Sequence, residues 1–249
     1  SGSLEKRVVN NLTFSVGSGE IVALVGESGS GKTQLLKALV LNLRNFSMRT
    51  QRRRISALVL DYKGDFHASV EAGRADFVKE VDAEILIPRN MPMDALYLKD
   101  YEDSFARFDK ARFFASVFEK IYRFGNNQDQ NLLKAFETAW QRFGSSPTFE
   151  QVYDLYKDIA DVEVDGITGV LQTFVRRQIF STNPAEFKPF KELIDGRVLI
   201  LALDDFGQDT RLKNLVVALF LDQYKDYMSA FTQDEVQDEL RVINSLLII

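Results

Sequence analysis

The sequence predicts an α/β protein: a mostly parallel central β-sheet covered by helices, opened by an N-terminal β-hairpin and interrupted by a helical insertion. Three observations predict it. Glu20 to Val25 is a short, nearly continuous apolar run, the character of a strand buried on both faces of a parallel sheet. A glycine-rich turn follows, then an amphipathic stretch with Leu35, Leu36, Leu39 and Val40 on one helical face. A second aliphatic run, Ile55 to Leu60, completes strand–helix–strand, a unit that closes with a right-handed crossover.

The elements follow in chain order. Val8-Val9 and Leu12 to Val16 flank Asn10-Asn11 as a hairpin, and Gly17-Ser18-Gly19 ends its second arm. The first helix runs from Lys32 to about Asn45, and the basic segment Arg49 to Arg54 leads from it to the next strand. Ile85 to Ile87 is a further strand, stopped by Pro88. The helical insertion occupies about 100–180. Its first helix, Ser104 to Phe124, sets Phe105, Phe108, Phe113, Phe118 and Ile121 at helical spacings, which reads as core rather than as stacking platforms. Gln128 to Phe143 is the next helix; Thr148 with Gln151 forms a capping box for a third, reaching Ile159; a fourth covers Val170 to Phe180. The strand Val198 to Leu203, the helix Leu212 to Phe231 and the strand-like run Val242 to Ile249 close the sequence.

Composition bounds the function. The 249 residues carry 45% hydrophobic and 27% charged side chains, which excludes a disordered or fibrous chain and suits one domain spanning 1–249. Ser1-Gly2-Ser3 reads as an expression scar. Without cysteine there are no disulfides or thiolate metal sites, and with one histidine, His67, no His-cluster metal site. No apolar run reaches the roughly 18–20 residues that cross a bilayer, so the expectation is a cytoplasmic protein without a membrane partner. A formal charge of −5 confines any nucleic-acid contact to local patches.

The chemistry sits in Gly26-Glu27-Ser28-Gly29-Ser30-Gly31-Lys32-Thr33, which satisfies the P-loop pattern G-x-x-x-x-G-K-[ST] between a strand and a helix. Glycines let backbone N–H groups turn inward around a phosphate, and the helix N-terminus, continuing through Gln34, adds its partial positive charge. Lys32 reaches the β- and γ-phosphates and the Thr33 hydroxyl ligates Mg²⁺, so ATP and Mg²⁺ are the expected cofactors. Asp61 ends the strand that follows. An acid there either contacts the metal's water and helps catalysis beside Lys32, or simply caps the next turn.

The wording after that strand, Asp61-Tyr62-Lys63-Gly64-Asp65-Phe66, resembles the HerA/FtsK superfamily of ring-shaped DNA motors, RecA-like P-loop NTPases, and within it the HerA-like ATPases of phosphorothioation-dependent restriction (DptH). Gly125-Asn126-Asn127-Gln128 with Leu132 is similar to that family's G-x-x-Q-x-x-x-L segment, and Gly196 to Leu201 with Leu215 to Leu221 to its next strand and helix. The resemblance implies an ATPase motor, helicase or translocase of bacterial defence. Its implied partners are duplex DNA, other restriction-complex subunits and further copies in a homo-hexameric ring. It also implies that the catalytic Asp-Glu pair lies beyond Leu246-Leu247-Ile248-Ile249, leaving the 249-residue chain catalytically incomplete.

Other readings stay open. Residues 11–33 also resemble the opening of an ABC-type nucleotide-binding domain, although no LSGGQ-like segment precedes Asp204-Asp205. A domain that binds ATP without turning it over is the third reading. Asp204 and Asp205 are acids displaced from the motor family's pattern. Arg49, Arg52, Arg53 and Arg54 form a solvated loop or touch DNA phosphates; Arg176-Arg177 is a surface pair or an arginine finger. His67 and Trp140 carry no functional reading.

Overall fold

The computed structural model describes residues 31–49, 54–67, 76–229 and 245–249. The expected N-terminal hairpin, the strand before the P-loop and residues Gly26 to Ser30 lie outside the described residues. Within them, helix α1 (Lys32–Arg49) precedes strand β1 (Ser56–Asp61), a short helix α2 (Phe77–Glu80) and strand β2 (Ala83–Leu86). Four helices follow, α3 (Ser104–Tyr122), α4 (Asn126–Phe143), α5 (Phe149–Ala160) and α6 (Gly166–Arg177). Then come α7 (Phe190–Ile194), β3 (Val198–Ala202), a 3₁₀ turn at Leu203–Phe206, α8 (Thr210–Ser229) and β4 (Ser245–Ile248). This is the α/β architecture of a RecA-like P-loop NTPase, with its parallel sheet and its helical insertion.

The described strands form one sheet in the order β2-β3-β1-β4, with every pair parallel. Ala57 pairs with Val198 and Asp61 with Ala202, so β1 and β3 end level with each other. Side chains alternate across the sheet, and the core divides accordingly. Ala57, Val59, Val198, Ile200 and Ile248 face α1 through Val40, together with Phe66 and Phe77. Leu58, Leu60, Leu199 and Leu201 face the opposite way, into a larger core built by α3–α8. The result is three layers, α/β/α.

Local chemistry sets the helix ends. Asp103 starts α3 by accepting from Phe105 N–H at 3.0 Å. The capping box at α5 is formed in full. Gln151 N–H donates to Thr148 Oγ1 at 3.2 Å, and Thr148 N–H donates to Gln151 Oε1 at 2.8 Å. Asp165 caps α6 through Thr168 N–H at 2.8 Å and also accepts from Tyr156 Oη at 2.6 Å and Gln128 Nε2 at 2.9 Å, joining α4, α5 and α6. Burial alone would raise the Asp165 pKa, but the Thr168, Tyr156 and Gln128 bonds outweigh it and hold the carboxyl below its ordinary value.

The phenylalanines of α3 correct one expectation. Its buried stripe is Ala111, Phe114, Ala115 and Phe118, at i, i+3, i+4 and i+7, whereas Phe105 (78% exposed), Phe108 and Phe113 lie off that stripe and face solvent. Trp140 is fully buried against Phe114 and Phe136 and donates Nε1–H to Leu96 O at 2.8 Å. Helices α2 and α7 have no counterpart in the sequence reading because four or five residues are too few to show a 3.6-residue period.

Candidate functional site

In an open parallel sheet, ligands bind beyond the C-terminal ends of the strands. The described part of the P-loop sits at the head of α1. Gly31 has φ +85°, the left-handed conformation that favours glycine, and its carbonyl accepts the first helical bond from Leu35 N–H at 3.0 Å. First-turn amides of an α-helix have no carbonyl partner within it, so those of Lys32, Thr33 and Gln34 face out of the helix end. The Lys32 and Thr33 side chains are half-buried, and Gln34 is exposed. Gly26, Glu27, Ser28, Gly29 and Ser30 complete the predicted loop outside the described residues.

Asp61 stands at the C-terminal tip of β1, with only 3% of its surface exposed. A carboxylate that deep needs donors. Its Oδ2 accepts three bonds: from Phe66 N–H at 2.9 Å, from His67 N–H at 3.2 Å and from His67 Nδ1 at 2.8 Å. The other ring nitrogen, Nε2, stands 3.3 Å from Asp204 Oδ1, just past the tip of β3. That separation is within ion-pair reach but not aligned for a hydrogen bond, so the buried Asp204 Oδ1 has no hydrogen-bond partner among the described residues. Gly64, with φ +79°, allows the loop its approach: a Cβ there would lie 2.9 Å from Asp204 Oδ2. Lys37, on α1, donates Nζ to Asp65 O at 2.5 Å and covers the Phe66 and Phe77 rings. The loop from Asp61 to His67 is thus fastened to β1, to the tip of β3 and to the helix that begins with Lys32.

His67 is the functional candidate that sequence reasoning misses. Its hydrogen-bonded carboxylate is local in sequence, but the second is delivered by β3, and only the sheet register brings the two together. Asp205, the other displaced acid, is exposed. Arg176 and Arg177 are exposed in the last turn of α6, where a cation complements the helix dipole.

A groove among the described residues lies at the other end of the sheet. About 690 Å³ in volume, it is lined by Arg54, Asp82, Glu84, Asp195 and Arg197 among others, with Arg54–Asp82 at 3.8 Å and Arg197–Glu84 at 3.0 Å. Strand starts are the wrong end for nucleotide.

Comparison with known proteins bears on the N-terminal part of the chain. Residues 9–62 match the model of the ABC transporter family, about a fifth of the sequence. The lipoprotein-releasing system ATP-binding protein LolD of Koribacter versatilis (strain Ellin345) is 56% identical over 39 residues, which are 16% of this chain and 18% of that protein. Heavy metal tolerance factor 1 of Caenorhabditis elegans is 30% identical over 86 residues, 28% of this chain and 11% of that protein. The chain spans less than a fifth of the length of these curated relatives. With the P-loop pattern and the fold, the matches define a P-loop ATPase whose cofactors are ATP and Mg²⁺. The residues present fit both. The left-handed Gly31 and the outward-facing amides of α1 suit phosphate, while the Thr33 hydroxyl and the buried Asp61 carboxylate are oxygen donors of the kind that would hold Mg²⁺ or its water.

These matches correct the resemblance to HerA/FtsK motors, since the P-loop segment through Asp61 matches the ABC model instead. The structure shows why the short motifs mislead. Gln128 of the G-x-x-Q segment is a cap, its Oε1 accepting from Gly125 N–H at 3.2 Å and its Nε2 bonding Asp165. Gly196 to Leu201 and Leu215 to Leu221 look alike because β3 and α8 are core elements. The readings as translocase, helicase and restriction component fall with that resemblance, as do duplex DNA, restriction subunits and a homo-hexameric ring as partners. So does the expected lack of a membrane partner, because the matched family is one of transporters. Of the basic run, Arg54 pairs with Asp82, and Arg52 and Arg53 lie outside the described residues. No helix among the described residues is long and apolar enough to cross a membrane.

Proposed function

We propose that this chain is an ABC-type nucleotide-binding domain that binds Mg·ATP at the head of α1 and hydrolyses it, working at the cytoplasmic face of a membrane beside a transmembrane transport partner. The observation that carries the reading is the continuous match over residues 9–62, which takes in the P-loop, α1 and β1 through Asp61. In this reading the amides of Gly26 to Gly31 cradle the β-phosphate and Lys32 neutralises the β- and γ-phosphates. Thr33 ligates the metal, Gln34 continues the ring of amides, and Asp61 lies beside the metal's water shell. The cargo of LolD and of the heavy metal tolerance factor belongs to those proteins.

Lys32→Ala tests the reading. Removing the point charge that meets two phosphates is expected to weaken binding of a fluorescent ATP analogue by at least about tenfold, the equivalent of one charge-assisted bond. Hydrolysis should fall to background, with the circular dichroism spectrum unchanged. Equal binding by the parent and the variant would sink the assignment.

A further inference from the structure

We propose that His67 is the positioning residue of the nucleotide site: it holds Asp61 by one oxygen and joins it to Asp204 across the neighbouring strand tip, so that both carboxylates respond together when Mg·ATP binds. The inference rests on the ABC-type P-loop reading and extends it to residues beyond the matched segment.

Three features carry it. The three bonds that hold Asp61 all end on Oδ2, and two of them come from His67, one through its backbone and one through its ring. The carboxylate is therefore held in rotation, and Oδ1 is the oxygen left for the metal's water shell. Second, the ring spans β1 and β3, with a carboxylate oxygen at 2.8 Å from one nitrogen and at 3.3 Å from the other. Nδ1 is bonded to the Asp61 carboxylate and Nε2 faces the Asp204 carboxylate, so the imidazole stands as a strut between the two strand tips. Third, the strut is coupled to the P-loop helix. Lys37, which bonds Asp65 O, follows Lys32 by five residues, about 7.5 Å along the helix axis. Lys37 thereby ties the helix that carries Lys32 and Thr33 to the loop that ends in His67. Gly64, held against Asp204 Oδ2 in a conformation no side chain tolerates easily, keeps that loop close to β3.

The chain has one histidine, so ¹⁵N-histidine labelling yields a single ring to observe. In the free protein, long-range ¹H–¹⁵N correlations should show Nδ1 protonated and hydrogen-bonded. Asp61→Asn should move the Nδ1 resonance, and Asp204→Asn the Nε2 resonance. Adding Mg²⁺ with a non-hydrolysable ATP analogue should shift both nitrogens in the parent and neither in Lys32→Ala. In turnover, His67→Ala should lower kcat by about 10- to 100-fold, the usual cost of losing a residue that orients a metal-site ligand, with KM for ATP unchanged. His67→Asn, which keeps a donor near the Nδ1 position, should restore most of kcat. Analogue binding to the parent without a response of the ring overturns the inference and leaves the nucleotide reading intact, as does parental kcat in a folded His67→Ala. A parent that binds no nucleotide overturns the proposed function itself. A ring insensitive to both Asp61→Asn and Asp204→Asn overturns the bridge whatever the nucleotide result.

Discussion

Asp165→Ala should destabilise the protein by about 2–4 kcal/mol, and the structure shows where that sum arises. Losing the N-cap bond to Thr168 N–H, 2.8 Å long, costs about 1 kcal/mol. The Tyr156 hydroxyl, which now donates to Asp165 at 2.6 Å from a fully buried side chain, would lose its acceptor at a cost of about 1–3 kcal/mol. Gln128 is half-exposed and finds water instead, so it adds little. For a chain of this size, about 2–4 °C of melting temperature accompanies each kcal/mol, so a fall of roughly 4–16 °C is expected by calorimetry. The diagnostic measurement is the double-mutant cycle. Tyr156→Phe removes the stranded hydroxyl, so Asp165→Ala/Tyr156→Phe should be less destabilised than the sum of the two single variants, by about 1 kcal/mol or more. Acid acts on the same carboxylate. The Asp165 pKa is lowered by folding, so its contribution is present above its unfolded pKa and is lost as pH falls through the folded value. Strict additivity in the cycle, or a loss below about 0.5 kcal/mol for Asp165→Ala, would refute the reasoning.

Two further predictions concern acids elsewhere. Asp94 is buried beside a cavity of about 20 Å³, with Oδ1 unpaired among the described residues, and burial pushes its pKa up to about 6 despite bonds from Ser146 and Leu96. A carboxyl raised by folding favours the folded state at low pH, and that advantage disappears as pH rises from about 4 to 6; Asp94→Asn should therefore stabilise the protein by about 1–3 kcal/mol at pH 8 relative to its effect at pH 4, as read from denaturant midpoints. Gly64→Ala places a methyl 2.9 Å from Asp204 Oδ2 at a φ of +79°, so it should cost about 1–2 kcal/mol and displace the His67 Nε2 resonance; unchanged stability and spectrum would mean that the loop does not bear on β3.

Much of the fold is legible in the sequence because it rests on local chemistry. Thr148 and Gln151 are three residues apart, and the geometry of their reciprocal bonds is set within one helical turn. The aliphatic runs at Ser56–Asp61 and Val198–Ala202 have one sensible home, a strand covered on both faces. The P-loop is legible for a similar reason: its spacing reflects the size of a phosphate. What depends on register is not legible. His67 reads as an isolated histidine until β1 and β3 end side by side. The face of α3 is easily misjudged because a helix so rich in phenylalanine offers more than one apolar stripe, and the packing of α4 and α8 chooses among them. Gln128 reads as a family signature, yet its task is to close two helix starts.

The division of the core by the sheet has a practical consequence. Trp140, the sole tryptophan, belongs to the core on one side of β1, whereas Phe66 and α1 pack on the other. Optically, the molecule has its lamp in one room and the first helix in the next. Intrinsic emission follows the integrity of the α3–α8 layer, so a tryptophan trace can stay silent during ATP addition whether or not nucleotide binds. The imidazole of His67, bonded to Asp61 at the tip of β1, is a native reporter on the loop that Lys37 fastens to α1.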